Sequence, residues 1–186
     1  MATLSGADWC SKFPNSTSVE DLKEPFRTAA KNFLAALNKA GATVTISATY
    51  RPPERAYLMH YSFLIGKNGL DPSTVPAMTG VDINWVHTDA KGNKDIKASR
   101  QAANDMVAGY DIVYTPVLTS RHTEGKAIDM DISWGADLTI DGSDGKSTTI
   151  KSQPRTGANT DLQSVGAGYG VHKLATDPPH WSSDGH

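Results

Sequence analysis

Within residues 127–134, Ala-Ile-Asp-Met-Asp-Ile-Ser-Trp, apolar and polar side chains alternate strictly from Ile128 onwards. Successive side chains of a strand point to opposite faces. Ile128, Met130 and Ile132 therefore share one face, and Asp129, Asp131 and Ser133 share the other. A strand with an oily face and a carboxylate face has to lie half-buried, one side on a core and the other open to water or a ligand. The chain must therefore contain a sheet covered on one side, and the rest of the sequence says by what.

Between Val19 and Ala40, Leu22, Phe26, Ala29, Ala30, Phe33, Leu34 and Leu37 recur at steps of three and four, one face of an amphipathic helix. Ser18 and Asp21 form a variant capping box, and Pro25, which lacks an N–H, sets the start of the regular helix near itself. Gly41 ends it, and residues 42–50 alternate as a half-buried strand. Pro52 and Pro53 open a second helix carrying Tyr57, Leu58, Tyr61, Leu64 and Ile65, which stops at Gly66 to Gly69. Residues 70–94, with Pro72, Pro76, Gly80 and Gly92, are long for a loop and predict short structure or a substrate-facing excursion. Residues 95–108 read as a third helix with Ile96, Ala102, Ala103, Met106 and Val107 inward. Leu138–Ile140 and Ser147–Ile150 read as a hairpin, and Leu162–Val165 as a short helix. The sum is an α+β fold, a small antiparallel sheet flanked by helices. With no internal repeat and no low-complexity linker, 186 residues read as a single domain, with residues 1–17 as an irregular N-terminal arm.

Composition narrows the chemistry. Lys plus Arg 18 against Asp plus Glu 20 leaves no basic field for nucleic acid. No window approaches the roughly 18 apolar residues that span a bilayer, so no membrane insertion is expected. The first residues lack a basic region followed by an apolar run, which predicts synthesis in the cytoplasm without a secretory signal. One cysteine, Cys10, excludes an intrachain disulfide and any cysteine-rich metal site. A metal would have to sit on histidine and carboxylate.

Two clusters offer that chemistry: Ser120-Arg121-His122-Thr123-Glu124-Gly125-Lys126-Ala127-Ile128-Asp129, and Asp177-Pro178-Pro179-His180. A catalytic zinc takes three protein ligands and keeps a position open for water. The turn at Gly125 allows His122 and Asp129 to reach one ion, and His180 is the natural third ligand. Asp177, three residues before His180 on a proline-stiffened link, can stand beside the metal as a general base, and hydrolysis of an amide fits this set.

Ser120, His122, Gly125, Ala127 and Asp129 reproduce the Ser-x-His-x-x-Gly-x-Ala-x-Asp signature, and the chain in this respect resembles the zinc DD-peptidases of the VanX and VanY type. Relatives of that family include phage endolysins that cut L-alanyl-D-glutamate bonds, and the Hedgehog signalling domain shares its fold. The resemblance runs in order from about Phe26 to Trp181. It implies a Hedgehog/DD-peptidase-like fold, one zinc ion on His122, Asp129 and His180, and Asp177 in the place of the family's glutamate base. It also implies that Tyr50-Arg51 matches an upstream Tyr-Arg, so that Arg51 binds substrate and steadies the developing oxyanion. The substrate implied is a peptidoglycan stem peptide. A monomer acting on the cell wall or periplasm after release or delivery is expected, with no separate cell-wall-binding domain. Two departures stand out: Asp177 is shorter than Glu by about 1.5 Å, and Ala56 and Tyr57 occupy the region where the family often has Gln.

Blander assignments are set against these. Ser120 touches substrate, supports the metal ligands, or bonds only backbone. Asp131 is a solvent-facing or supporting carboxylate rather than a second metal site. His60 is a packed or surface histidine on its helix, His87 and His172 lack ligand spacing to a partner, and His186 is terminal and mobile. The alternative from another class is a non-catalytic zinc module that binds cell-wall fragments or a protein partner. The lysostaphin-like peptidases share zinc and substrate, but they usually carry a His-x-His pair, which is absent here.

Overall fold

A computed structural model describes residues 2–186. In chain order it contains β1 (Thr3–Leu4), α1 (Phe26–Lys39), β2 (Thr43–Ala48), α2 (Pro53–Gly66), β3 (Ile83–Asn84), α3 (Ile96–Gly109), β4 (Ala127–Ser133), β5 (Leu138–Asp141), β6 (Ser147–Ile150), α4 (Thr160–Gly168), β7 (His172–Lys173) and β8 (His180–Ser182). The fold class is α+β. The chain divides into two compact units, residues 2–14 with 52–119, and residues 15–51 with 120–186.

In the first unit, α2 and α3 bury Leu58, Ile65, Ala103 and Met106 together with Trp9, Val81 and Trp85. The segment read as an N-terminal arm supplies Trp9 from a 3₁₀ turn at Ala7–Ser11, and β1 pairs in parallel with β3. Residues 70–94 carry short structure: a 3₁₀ turn at Pro72–Thr74, β3, and a bridge between Thr88 and Lys94. The histidines here have structural partners. His60 Nδ1 lies 2.7 Å from the Pro116 carbonyl, and His87 Nε2 lies 3.0 Å from Ser5 Oγ.

The second unit is built on a four-stranded antiparallel sheet in the order β2-β4-β8-β7. One face packs on α1 and α4. Ile128, Met130 and Ile132 meet Phe26, Ala30, Phe33 and Leu37, the face that the three-and-four spacing selects. Trp181 is fully buried here, with its ring 5.6 Å from that of Phe33. Because side chains alternate along β8, a buried Trp181 turns His180 to the opposite face.

Two local expectations differ from the structure. Ser18 and Asp21 do not cap α1. Ser18 caps a separate 3₁₀ turn at Val19–Asp21 by accepting from the Glu20 N–H, and Asp21 accepts from the Ser16 hydroxyl. The α1 helix then starts at Phe26, directly after Pro25, whose ring cannot sit in a helix interior. The α4 helix runs beyond the expected 162–165, and it starts at Thr160 because buried Asn159 caps it, with Oδ1 accepting from the Asp161 and Leu162 N–H groups.

Candidate metal centre

The polar face of the sheet carries the cluster. His180 pairs directly across the ladder with Asp129, so the two side chains share a face. His122 arrives from the turn that precedes β4. Its backbone is tied down twice: its carbonyl accepts from the Gly125 N–H at 3.1 Å and from the Arg51 N–H at 3.2 Å. The second bond joins Arg51, half-buried just past β2, to the metal-side turn.

Gly125 is required for two reasons. Its φ is +69°, the left-handed region. A Cβ there would stand 2.7 Å from Lys23 Cγ, while the Lys23 N–H donates to the Gly125 carbonyl at 2.8 Å. Ala127 is fully buried opposite Ser182. The Gly and Ala of the cluster are thus explained by backbone conformation and space.

Three atoms converge. Asp129 Oδ1 lies 3.1 Å from His122 Nε2 and 3.0 Å from His180 Nδ1, and the two ring nitrogens are 3.2 Å apart. Both imidazoles are buried, and Asp129 is half-buried. The far side of each ring decides what these atoms can do. His122 Nδ1 donates to the Thr49 carbonyl at 2.8 Å, and His180 Nε2 donates to the His186 carbonyl at 3.2 Å. A carbonyl can only accept, so each neutral ring carries its proton on the outer nitrogen and turns a lone pair inward. Two lone pairs and a carboxylate facing one point repel unless a cation lies among them. His122, Asp129 and His180 can hold a metal ion, with donor atoms within 4.8 Å of one another. Histidine ligands oriented by backbone carbonyls are the usual support of such sites.

Without metal the cation is a proton. Burial pushes the His180 pKa down, but the hydrogen bond and charge of Asp129, the His186 carbonyl and the charge of Asp177 outweigh it and raise it. Burial likewise pushes the Asp129 carboxyl up, and the hydrogen bonds of His122 and His180 outweigh it, holding it well below the carboxylate range. The signs follow. The raised His180 value contributes stability that is full below the unfolded value of about 6.5 and lost as pH rises through the folded value. The lowered Asp129 value contributes stability that is full above the unfolded value of about 3.9 and lost as pH falls through the folded one. A metal ion must displace the His180 proton. Apparent metal affinity is therefore expected to weaken as pH falls from about 8 to about 6, with proton uptake or release visible by calorimetry in buffers of different ionisation enthalpy. An affinity flat over that range would contradict the assignment.

The remaining residues fall into place around this core. Asp177 is exposed in the β7–β8 turn, and its backbone is fixed by bonds from its N–H to the Leu174 carbonyl and from the His180 N–H to its own carbonyl. Lys173 Nζ donates to the carbonyls of Leu174, Asp177 and His180, and so pins the same turn. Ser120 is engaged locally: its N–H donates to Thr123 Oγ1, the Thr123 hydroxyl donates back to the Ser120 carbonyl, and its Oγ accepts from the Thr123 N–H at 3.4 Å. His172 is half-buried on β7 and lies outside the cluster.

Sequence reasoning missed the support. His186, read as terminal and mobile, has its N–H bonded to Ser182 Oγ at 3.0 Å, and its carbonyl orients His180. Arg121 braces this turn through Asp184 and also pairs with Glu124. The Ser182-Ser183-Asp184-Gly185 run is a legible turn signal. The Thr49 carbonyl has none, because a backbone oxygen leaves no mark in a sequence. Ser47 is a further omission. The ladder pairs Ile46 with Met130 and Ala48 with Asp129, so Ser47 is the extra residue of a β-bulge opposite Asp129, and its hydroxyl donates to the Asp129 carbonyl at 3.3 Å.

No protein-family model matches the chain, and no curated protein matches it either. Among the described residues no helix is long and apolar enough to cross a membrane.

Proposed function

We propose that the protein is a zinc-dependent peptidase that hydrolyses an amide bond in peptidoglycan stem peptides, as a D,D-carboxypeptidase or an L-alanyl-D-glutamate-type endopeptidase. The observation that supports this most is the convergence of two inward imidazole lone pairs and one carboxylate oxygen on the open face of a sheet. Two nitrogens and one oxygen are a donor set that suits zinc. The five-residue signature around His122 and Asp129 supplies the substrate class.

A zinc ion held by His122, Asp129 and His180 would polarise the scissile carbonyl and acidify water. In this reading the Asp177 carboxylate takes the proton from the attacking water and returns it to the leaving amine. The fixed backbone around Asp177 supports that role, because a base held in place loses little entropy on reaching its geometry. The Arg51 guanidinium steadies the oxyanion as charge grows on the former carbonyl oxygen.

The test is incubation of the purified protein with a defined stem peptide, with and without chelator, and mass spectrometry of the products. The expected result is one new amine and one new carboxylate per turnover, abolished by chelator and restored by zinc. Tight zinc binding with an intact peptide would instead favour a non-catalytic module.

A further inference from the structure

Beside the metal cluster, the same sheet face holds a cavity of about 300 Å³. Its floor is the polar face of β2 and β4, where Thr43 pairs with Ser133 and Thr45 with Asp131. The loop at Thr156–Ala158 forms part of its wall, and Pro178, the neighbour of Asp177, forms another part. The Met130 N–H donates to the Pro179 carbonyl at 2.9 Å, which fixes that wall against β4.

Asp131 is the one charged residue in this lining. It is exposed, and its carboxylate has no hydrogen-bond or ion-pair partner among the described residues. The cross-strand register gathers hydroxyls around it from Thr43, Thr45 and Ser133. None of these three hydroxyls has a side-chain hydrogen bond among the described residues. A carboxylate ringed by hydroxyl oxygens matches a primary ammonium, which has three donors and no acceptor. It offers nothing comparable to a carboxylate or an apolar side chain. Asp131 lies two residues along β4 from Asp129, about 7 Å at the strand rise.

We propose that this cavity is a substrate subsite for an ammonium group: the free side-chain amine of a diamino acid residue in the stem peptide. For an extended peptide laid along β4, that residue lies about two positions from the bond that is cut. The proposal rests on the peptidase reading above and adds to it which peptides are preferred. Asp131 is then a specificity residue, separate from the metal ligands and from the base.

The test uses two peptides that differ only in a lysine two residues from the cut bond, its side-chain amine free in one and acetylated in the other. The wild-type protein is expected to show kcat/KM about three- to fivefold higher for the free amine, the worth of an ion pair at an exposed site. Asp131→Asn is expected to abolish this preference, and rising salt is expected to shrink it. Equal rates on the two peptides with wild type, or a preference that survives in Asp131→Asn, would overturn the subsite. Calorimetric titration of the metal-free protein with both peptides reads the subsite without hydrolysis. There the free amine is expected to bind about three- to fivefold tighter in wild type only, and equal binding overturns the proposal. Discrimination in binding with neither peptide cut would sink the peptidase reading and leave the ammonium site standing.

Discussion

Replacing Asp129 with Asn is expected to lower metal affinity by more than about 100-fold, the upper range for losing a mere outer support of a ligand. The carboxylate is the only anionic donor of the three, and without it two neutral imidazoles must hold a dication alone. Thermal unfolding gives the readout. At a metal concentration of about 100 times the wild-type dissociation constant, binding adds about 2.7 kcal/mol, a rise in Tm of about 5–10 °C for a chain of this length. The variant at the same concentration is expected to gain about 1 °C or less. An equal rise in both proteins would mean that the ion binds elsewhere. The metal-free variant also loses the negative charge that favours the protonated His180 ring, so the His180 pKa is expected to fall back towards the ordinary imidazole value.

Asp177→Asn is expected to leave metal content unchanged and to reduce kcat by about 10²- to 10⁴-fold, the usual worth of a positioned base. That corresponds to about 3–5 kcal/mol of barrier. The separation of the two effects is the informative part. Asp177 lies outside the group of converging donor atoms, so its loss should not release the ion. Its turn is held by backbone bonds and by Lys173, none of which uses the carboxylate, so the variant should fold normally. Metal analysis beside steady-state kinetics checks both halves. Full turnover in the variant would move the base to another residue, and loss of metal would make Asp177 part of the ligand shell.

The two variants divide the site along lines that the sequence shows only in part. The positions of His122 and Asp129 are legible because a strand period of two and a Gly-containing turn constrain where side chains can point, and His180 is legible as the histidine of the proline-stiffened Asp177–His180 cluster. The Ser47 bulge is not legible, since one extra residue in a strand appears only against its partner. Nor is the cavity around Asp131. Its hydroxyls come from β2 and β4, segments separated by most of the first unit, and meet only through the ladder register. The hydroxyl of Ser120 shows the reverse case: a residue of the signature whose visible partners lie in its own turn.

By itself the sequence determined the helix faces, the half-buried central strand, the Pro25 start of α1 and the three candidate ligands. The faces, the strand, the helix start and the His122–Asp129 pair follow from local periodicity, fixed proline geometry and short spacings, which act over a few residues. His180, 51 residues from Asp129, is read from its own Asp177–His180 cluster. Only the tertiary structure decided which nitrogen of each histidine faces inward, through the carbonyls of Thr49 and His186. Thr49 stands 73 residues from His122 in the chain. A hydrogen bond to a distant backbone oxygen is set by how the strands come together, and no side chain records it beforehand.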